Sequence, residues 1–300
     1  MLEIDHVTRR FGELTAVDGV SFAVRPGEMI GFVGANGAGK TTTMRMTMGV
    51  LALHGGEVRW QGRPITDADR RTFGYMPEER GLYPKQKVLD QLVYLGRLHG
   101  MERKAAKDAA MGYLERFGLA ERARDAVEKL SLGNQQRVQI TAALMSQPTC
   151  LILDEPFSGL DPSAVDAMAG VLSEHSARGV PILFSSHQLE LIERLCDGLV
   201  ILKAGRVVGE GSADDLRTRA TRAHRLVLDG DAGWTRGFPG VHVLDVDGPS
   251  AVIEFADEPS ASNGSGAPRA LLTEALARGG VREFAPIVPT LAEIYREVTS

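Results

Sequence analysis

Short apolar runs alternate with stretches of helical period from the start of the chain to about Glu210. "EMIGFVG" (28–34) reads as a strand and "KTTTMRMTMGV" (40–50) as a helix, and "TFGYMP" reads as a short strand. From Lys87 to Gln147 the pattern is mainly helical. Strands return at "CLILDEP" (150–156), "PILFSS" (181–186) and "LVILKAG" (199–205), with helices between them. The longest apolar runs, "CLILDEPF" and "GVPILFSS", are too short to span a bilayer. They have the unbroken apolar character of strands buried on both faces of a parallel sheet. The pattern predicts an α/β architecture with a helical insertion. "GRVVGEGSADDLRTRA" closes this first domain with a hairpin and a helix.

The tail has a different rhythm. "HRLVLDG", "VHVLDVDG" and "AVIEFAD" alternate with period two, as half-buried antiparallel strands do. "DEPSASNGSGAP" (257–268) is a Ser/Gly/Pro/Asn-rich loop, expected to be flexible. "RALLTEALARGG" predicts a helix ending at Gly279, "VREFAPIV" a strand, and "PTLAEIYREV" a last helix with Pro289 near its start. We read residues 213–300 as a small α+β domain, ferredoxin-like in its mix of elements, with no catalytic constellation of its own. No solenoid repeat is visible.

Composition narrows the classes. The 300 residues are 43% hydrophobic and 24% charged, an ordinary globular mix. A net charge of −5 argues against a broadly basic surface, so no nucleic-acid partner is expected. "MLEIDHVTRRFG" has neither an apolar core nor a cleavage-like end, so no signal peptide is expected. Cys150 and Cys196 lie far apart in apolar contexts without metal spacing, and read as small core residues in a reducing cytoplasm.

Three stretches carry chemistry. "GANGAGKT" runs from Gly34 to Thr41 and fits G-x-x-x-x-G-K-[ST] between a predicted strand and a predicted helix. Glycines let the backbone wrap a phosphate with N–H groups inward, and the helix turns its positive end to the same anion. Lys40 adds a point charge and the Thr41 hydroxyl can ligate Mg²⁺. Gly34, Asn36, Gly37, Ala38, Gly39, Lys40, Thr41 and Thr42 are therefore the candidate nucleotide-binding residues. The plainer alternative is a Gly-rich turn. "CLILDEP" brings two carboxylates to the carboxyl end of a buried strand, where open α/β sheets bind ligands. Asp154 can hold Mg²⁺ through its water shell, and Glu155 can orient or deprotonate an attacking water. The alternative is a solvated strand end. "LSLGNQQR" (130–137) holds no reactive group, yet it opens a long helical pattern. Either Ser131 is an N-cap with Gly133 as a turn residue, or backbone N–H groups and a helix dipole face a phosphate.

Taken in order, "GANGAGKT", "LSLGNQQR", "CLILDEP", "SGLDP" and "SSHQ" resemble the nucleotide-binding subunit of an ABC transporter over about residues 1–212. The resemblance implies a P-loop NTPase cassette: a RecA-like core, an antiparallel β subdomain and a helical subdomain at about 87–147. It implies ATP with Mg²⁺, hydrolysed with Lys40, Glu155 and His187 as catalytic residues. Phe11 falls where the family stacks an aromatic on adenine; the alternative is a core Phe. Asp161, in "SGLDP", falls in the loop that links the two sites of a dimer; the alternative is an Asp-Pro turn starter. The family packs two subunits head to tail, so that Ser131, Gly133, Asn134 and Gln135 of one face the ATP held by the other. On that reading the cap and the anion site are the same feature. "LSLGN" departs from the commoner "LSGGQ" at Leu132 and Asn134 but keeps Ser131 and Gly133. A second departure puts Glu78 where the family usually has a Gln that ligates Mg²⁺; a carboxylate oxygen is as suitable a hard ligand.

"ERGLYPKQKVLDQLVYLGRLHG" is expected to receive a membrane partner's coupling helix, with a solvated helix face as the alternative. "PEERGLYP" and the closing "VPTLAEIYREV" resemble the ATPase subunits of ABC-2-type exporters, sodium-exporter-like and drug-exporter-like, which implies export. The resemblance thus implies an energy-coupling ATPase, a homodimer or a heterodimer with a second ATPase, peripheral on the inner face of the cell membrane through a separate permease. Two other classes compete. A soluble ABC ATPase acting on DNA or ribosomes would usually carry coiled-coil insertions or two fused cassettes; the sequence has one phosphate loop, no heptad array and no basic patch. A regulatory protein using ATP only as a ligand would not need Glu155 and His187.

Overall fold

The computed structural model describes residues 1–79, 81–256 and 266–299. The chain divides into two compact units, one of Met1–Ala213 together with the last residues from Val298, the other of Asp214–Glu297.

In the first unit, β1 (Leu2–Phe11) and β2 (Leu14–Val24) form a hairpin, and β3 (Met29–Gly34) runs through the glycine loop into α1 (Lys40–Thr47). There follow β4 (Gly55–Trp60), β5 (Arg63–Pro64), the one-turn α2 (Asp67–Arg70) and β6 (Phe73–Met76). Three helices, α3 (Val88–Leu98), α4 (Arg103–Arg116) and α5 (Leu132–Leu144), make up the helical insertion. The chain then alternates through β7 (Cys150–Leu153), α6 (Pro162–Ala177), β8 (Ile182–Ser185), α7 (Leu189–Leu195), β9 (Gly198–Lys203) and β10 (Arg206–Gly211).

Two sheets result. The antiparallel one has the order β2-β1-β4-β5, and the larger one β10-β9-β3-β8-β7-β6. In the larger sheet β9, β3, β8, β7 and β6 are parallel and β10 is an antiparallel edge. Every residue of β3, β7 and β8 is buried, as the unbroken apolar runs require. One core draws on both sheets and on α1, with Phe22 against Phe32 (ring centroids 5.1 Å apart) and Trp60 edge-on to Phe73 (4.8 Å). The insertion has its own core, built on the Ala106, Ala110 and Leu114 face of α4 and on Val88, Leu92 and Val138. Parallel strands all deliver their carboxyl ends to one edge, and β3, β7 and β8 bring the loops that carry the candidate residues there.

A helix α8 (Ala213–Ala220) opens the second unit from Asp214 on, so it does not close the first as the sequence suggests. Then come β11 (Ala223–Leu228), β12 (Val241–Asp247), β13 (Ser250–Phe255), α9 (Ala267–Ala277), β14 (Val281–Pro286) and α10 (Leu291–Thr299). The sheet order is β12-β13-β11-β14, antiparallel throughout. This is the ferredoxin-like order, with the first crossover helix shortened to a 3₁₀ turn at Gly233–Gly237. The core is small: Leu226, Leu228, Ala232, Ala251, Ile253, Leu271 and Ala275. Of the loop expected over 257–268, residues 257–265 lie outside the described residues. Among the described residues no helix is long and apolar enough to cross a membrane.

Candidate active site

Beyond the carboxyl ends of β3 and β7 lies a cavity of about 300 Å³, lined by Asn36, Gly37, Gly39, Lys40, Thr41, Glu78, Asp154 and Glu155. Three segments far apart in sequence meet there. The glycine loop is held shut by its own lysine: Lys40 Nζ donates to the Gly34 carbonyl at 2.7 Å and reaches that of Ala35 at 3.4 Å. Gly39 is the N-cap of α1 at φ 109°, and a Cβ there would lie 2.7 Å from the Ala16 carbonyl oxygen, so only glycine fits. The first turn of α1 carries no acid, which leaves its positive end free for an anion. Gly34, Ala38 and Thr42 shape the loop without lining the cavity. Gly34 answers to packing rather than to phosphate, since a Cβ there would meet the Leu202 carbonyl at 2.7 Å.

The carboxylates are built differently. Asp154 is 1% exposed; its Oδ1 accepts from Ser185 Oγ at 2.6 Å, and its Oδ2 has no hydrogen-bond partner among the described residues. Glu78 arrives on the loop after β6, and Thr41 Oγ1 donates to its Oε2 at 3.4 Å. Glu155 sits at φ 51°, a left-handed conformation that costs a non-glycine residue energy and has to be enforced. The enforcement is visible: its N–H donates to Ser185 Oγ at 2.8 Å, and its carbonyl accepts from Gln136 Nε2 at 2.8 Å. Its Oε2 lies 3.0 Å from His187 Nδ1. Burial pushes the Glu155 carboxyl above the ordinary glutamate range, while the His187 contact and the Lys40 charge pull against that rise. A raised carboxylate facing a cavity is suited to taking a proton from water.

The remaining candidates lie off the cavity lining. Phe11 stands at the β1–β2 turn, 45% exposed, with the Arg9 guanidinium 4.8 Å from its ring centroid; it is not a core residue. Ser131 is the N-cap of α5 and accepts from the Asn134 N–H at 3.3 Å. Gly133 is not a turn residue: it lies in the first turn of α5, where a Cβ would sit 2.8 Å from the Gly159 carbonyl oxygen. Gln135 turns inward, its amide donating to the Val127 and Leu130 carbonyls. Asp161 caps α6, accepting from the Ala164 N–H at 2.9 Å, and Arg137 donates to its other oxygen at 2.9 Å. The backbone hydrogen bond, more than Arg137, holds its carboxyl below the usual range.

Sequence reasoning missed Ser185, Gln136 and Gln139. Ser185 is the hinge of the carboxylate pair, bonded to both Asp154 and Glu155. Gln136 and Gln139 are each 5% exposed, one turn apart on α5. Gln136 grips the Glu155–Pro156 carbonyls and Gln139 those of Pro77 and Glu79. The available signal was a pair of amides spaced i, i+3 among the mainly apolar residues of a helical stretch.

A family model for ABC transporters matches residues 17–158, and one for the C-terminal domain of DrrA1-3-like ATP-binding proteins matches residues 211–299. The chain is 39% identical over 298 residues to the uncharacterized ABC transporter ATP-binding protein YhaQ of Bacillus subtilis, covering 99% of this chain and 98% of that one. It is 39% identical over 218 residues to the Nod factor export ATP-binding protein I of Paraburkholderia xenovorans, covering 72% of each. A solved structure described as the ATP binding subunit of an ABC transporter superposes with a TM-score of 0.68 at 33% identity, over 73% of this chain and 92% of that one. With the phosphate loop, the paired carboxylates and Ser131-capped α5 in one unit, and a relative matching almost end to end, the chain belongs to the ATP-binding subunits of ABC transporters, a family of ATP-hydrolysing enzymes.

Proposed function

We propose that this subunit drives export, closing head to tail with a second subunit around two ATP–Mg²⁺ and moving a separate membrane permease from the inner face of the cell membrane. The observation that carries the reading is the cavity that gathers Lys40, Thr41, Glu78, Asp154 and Glu155. The cavity is lined by phosphate-loop and carboxylate residues, whereas the Ser131 segment, which suits a phosphate, caps a helix away from that lining. That division favours a site completed by a partner. One chain carries both halves, so a homodimer is sufficient, and a second ATPase chain serves equally well. The export direction rests on likeness to the Nod factor export protein.

Magnesium fits the donor set. The unpartnered Asp154 Oδ2, the Thr41 hydroxyl and the Glu78 carboxylate are hard oxygen donors on one cavity, and Mg²⁺ keeps waters in its remaining positions. When bound it would neutralise charge developing on the β- and γ-phosphate oxygens. The loop N–H groups and the end of α1 bind the phosphates, and Lys40 exchanges its contact with the Gly34 carbonyl for an outer phosphate oxygen. Glu155 accepts the proton of the water that attacks the γ-phosphorus in line. His187, bonded to Glu155, holds that carboxylate toward the water. The exposed ring of Phe11 offers a stacking face to adenine. Asp161, fixed by Arg137, keeps the linking loop in step with α5.

The test is the solution mass of Glu155→Gln by light scattering, with and without ATP and Mg²⁺. The expected result is a mass that doubles with ATP and falls back in Glu155→Gln with Ser131→Arg. A monomer that binds ATP with Mg²⁺ yet never doubles would overturn the homodimer and direct the search to a second chain.

A further inference from the structure

Glu78 departs from its family's usual residue, and its side chain is held in the cavity lining by one long contact, from Thr41 Oγ1 at 3.4 Å. It is exposed and sits on a loop after Pro77, which has no N–H to give to a ladder. The loop is tied at its start, where the Asp154 N–H donates to the Met76 carbonyl at 2.8 Å. Beyond that point the described hydrogen bonds from α5 to the loop come from a single side chain. Gln139 Nε2 donates to the Pro77 carbonyl at 2.6 Å and reaches the Glu79 carbonyl at 3.5 Å, so it grips the backbone on either side of Glu78.

Gln139 is an unusual choice for stability alone. It is 5% exposed, and with its nitrogen committed to two carbonyls its Oε1 is left buried without a partner among the described residues. A buried acceptor left unsatisfied costs free energy that an apolar side chain of similar length would not incur. The amide is kept for what its donor holds.

We propose that Gln139 is a positioning residue that fixes Glu78 as a ligand of the nucleotide-bound divalent cation; this rests on the ATP–Mg²⁺ reading above. Gln136, one turn earlier on the same helix, holds the Glu155 carbonyl. Helix α5 therefore sets the placement of the carboxylates on both sides of the cavity, and Ser131 lies at its start.

The experiment is a Mn²⁺ titration followed by electron paramagnetic resonance, on the full chain with ATP in a Glu155→Gln background that does not turn over. Gln139→Met and Gln139→Leu remove the donor and the unpartnered acceptor together. Both are expected to weaken Mn²⁺ binding about 10-fold, the usual cost of losing an outer-shell support, with the fold retained. Glu78→Ala should weaken it by a similar factor, and Glu78→Ala with Gln139→Met no further. Unchanged Mn²⁺ affinity in both Gln139 variants, or full additivity with Glu78→Ala, would overturn the inference while the ATP–Mg²⁺ reading stands. A parent protein that binds ATP but no Mn²⁺ would remove that reading and the inference with it.

Discussion

The two units solve the same packing problem with opposite use of polarity. In the first, β3, β7 and β8 are buried from end to end, and the buried polar side chains include Lys40, Gln136, Gln139, Asp154, His175 and Ser185. In the second, strands such as β13 alternate buried and half-buried positions, and among the described residues Thr235 is the one buried polar side chain. Its hydroxyl donates locally, to the Ala232 carbonyl. Burying a polar group costs free energy unless it is hydrogen-bonded, so groups buried well away from local backbone partners mark where a fold has been shaped by chemistry. In the first unit Lys40 and Asp154 line one cavity, and Ser185, Gln136 and Gln139 brace the segments that form it. The second is a small apolar core with an ordinary polar exterior.

That contrast is most directly challenged at its two centres. Glu155→Gln should lower ATP turnover about 10²- to 10⁴-fold, the span of general-base catalysis, while ATP binding, followed by a fluorescent analogue, persists. Equal loss of binding and turnover would mean that Glu155 shapes the cavity rather than acting in it. Leu226→Ala removes a side chain of 0% exposure from the small core and should cost about 2–5 kcal/mol. Hydrogen exchange should report the loss over β11 and β13, with turnover unchanged. Turnover falling as far as in Glu155→Gln would break the comparison.

Finer tests lie within the first unit. Ser185→Ala strips the shared partner from Asp154 and Glu155, and should cost about 1–3 kcal/mol in urea unfolding, the range for leaving a buried group unsatisfied. The smallest effect is one of pH. The working form of Glu155 is the carboxylate, so turnover is lost as pH falls through its raised value. His187 opposes the rise, and His187→Ala should therefore move the acid limb of residual kcat/KM to higher pH. A limb that stays put or moves lower would detach His187 from Glu155.

What the sequence disclosed follows the same divide. Features written in a short run of residues were legible: the Gly34–Thr41 loop between a strand and a helix, the two acids at the end of a buried strand, and the Ser131 cap. The apolar runs marked the buried strands β3, β7, β8 and β9 and even the short β6, while β1, β2, β4 and β5 were foreseen only as the antiparallel subdomain that the resemblance implies. Residues whose role depends on distant partners were not legible. Ser185 meets Asp154 31 positions away, and Gln139 meets Pro77 62 positions away. The turn alternative for Gly133 fails because the residue lies inside α5, and its close neighbour, Gly159, arrives from another loop. Asp161 was identified from its motif, yet its partner Arg137 appears only once α5 and α6 are placed.

The closeness of Gly133 to Gly159 has a consequence for heredity. A methyl group at Gly133 first strikes the carbonyl oxygen of its own chain's Gly159. The lesion of a Gly133→Ala allele thus begins inside the subunit, before any partner or nucleotide is involved. Suppressors of such an allele belong in the stretch around Ser158–Leu160, where a small backbone shift restores room, and not in the phosphate loop. The two segments, separate motifs in the sequence, would therefore tolerate change only together.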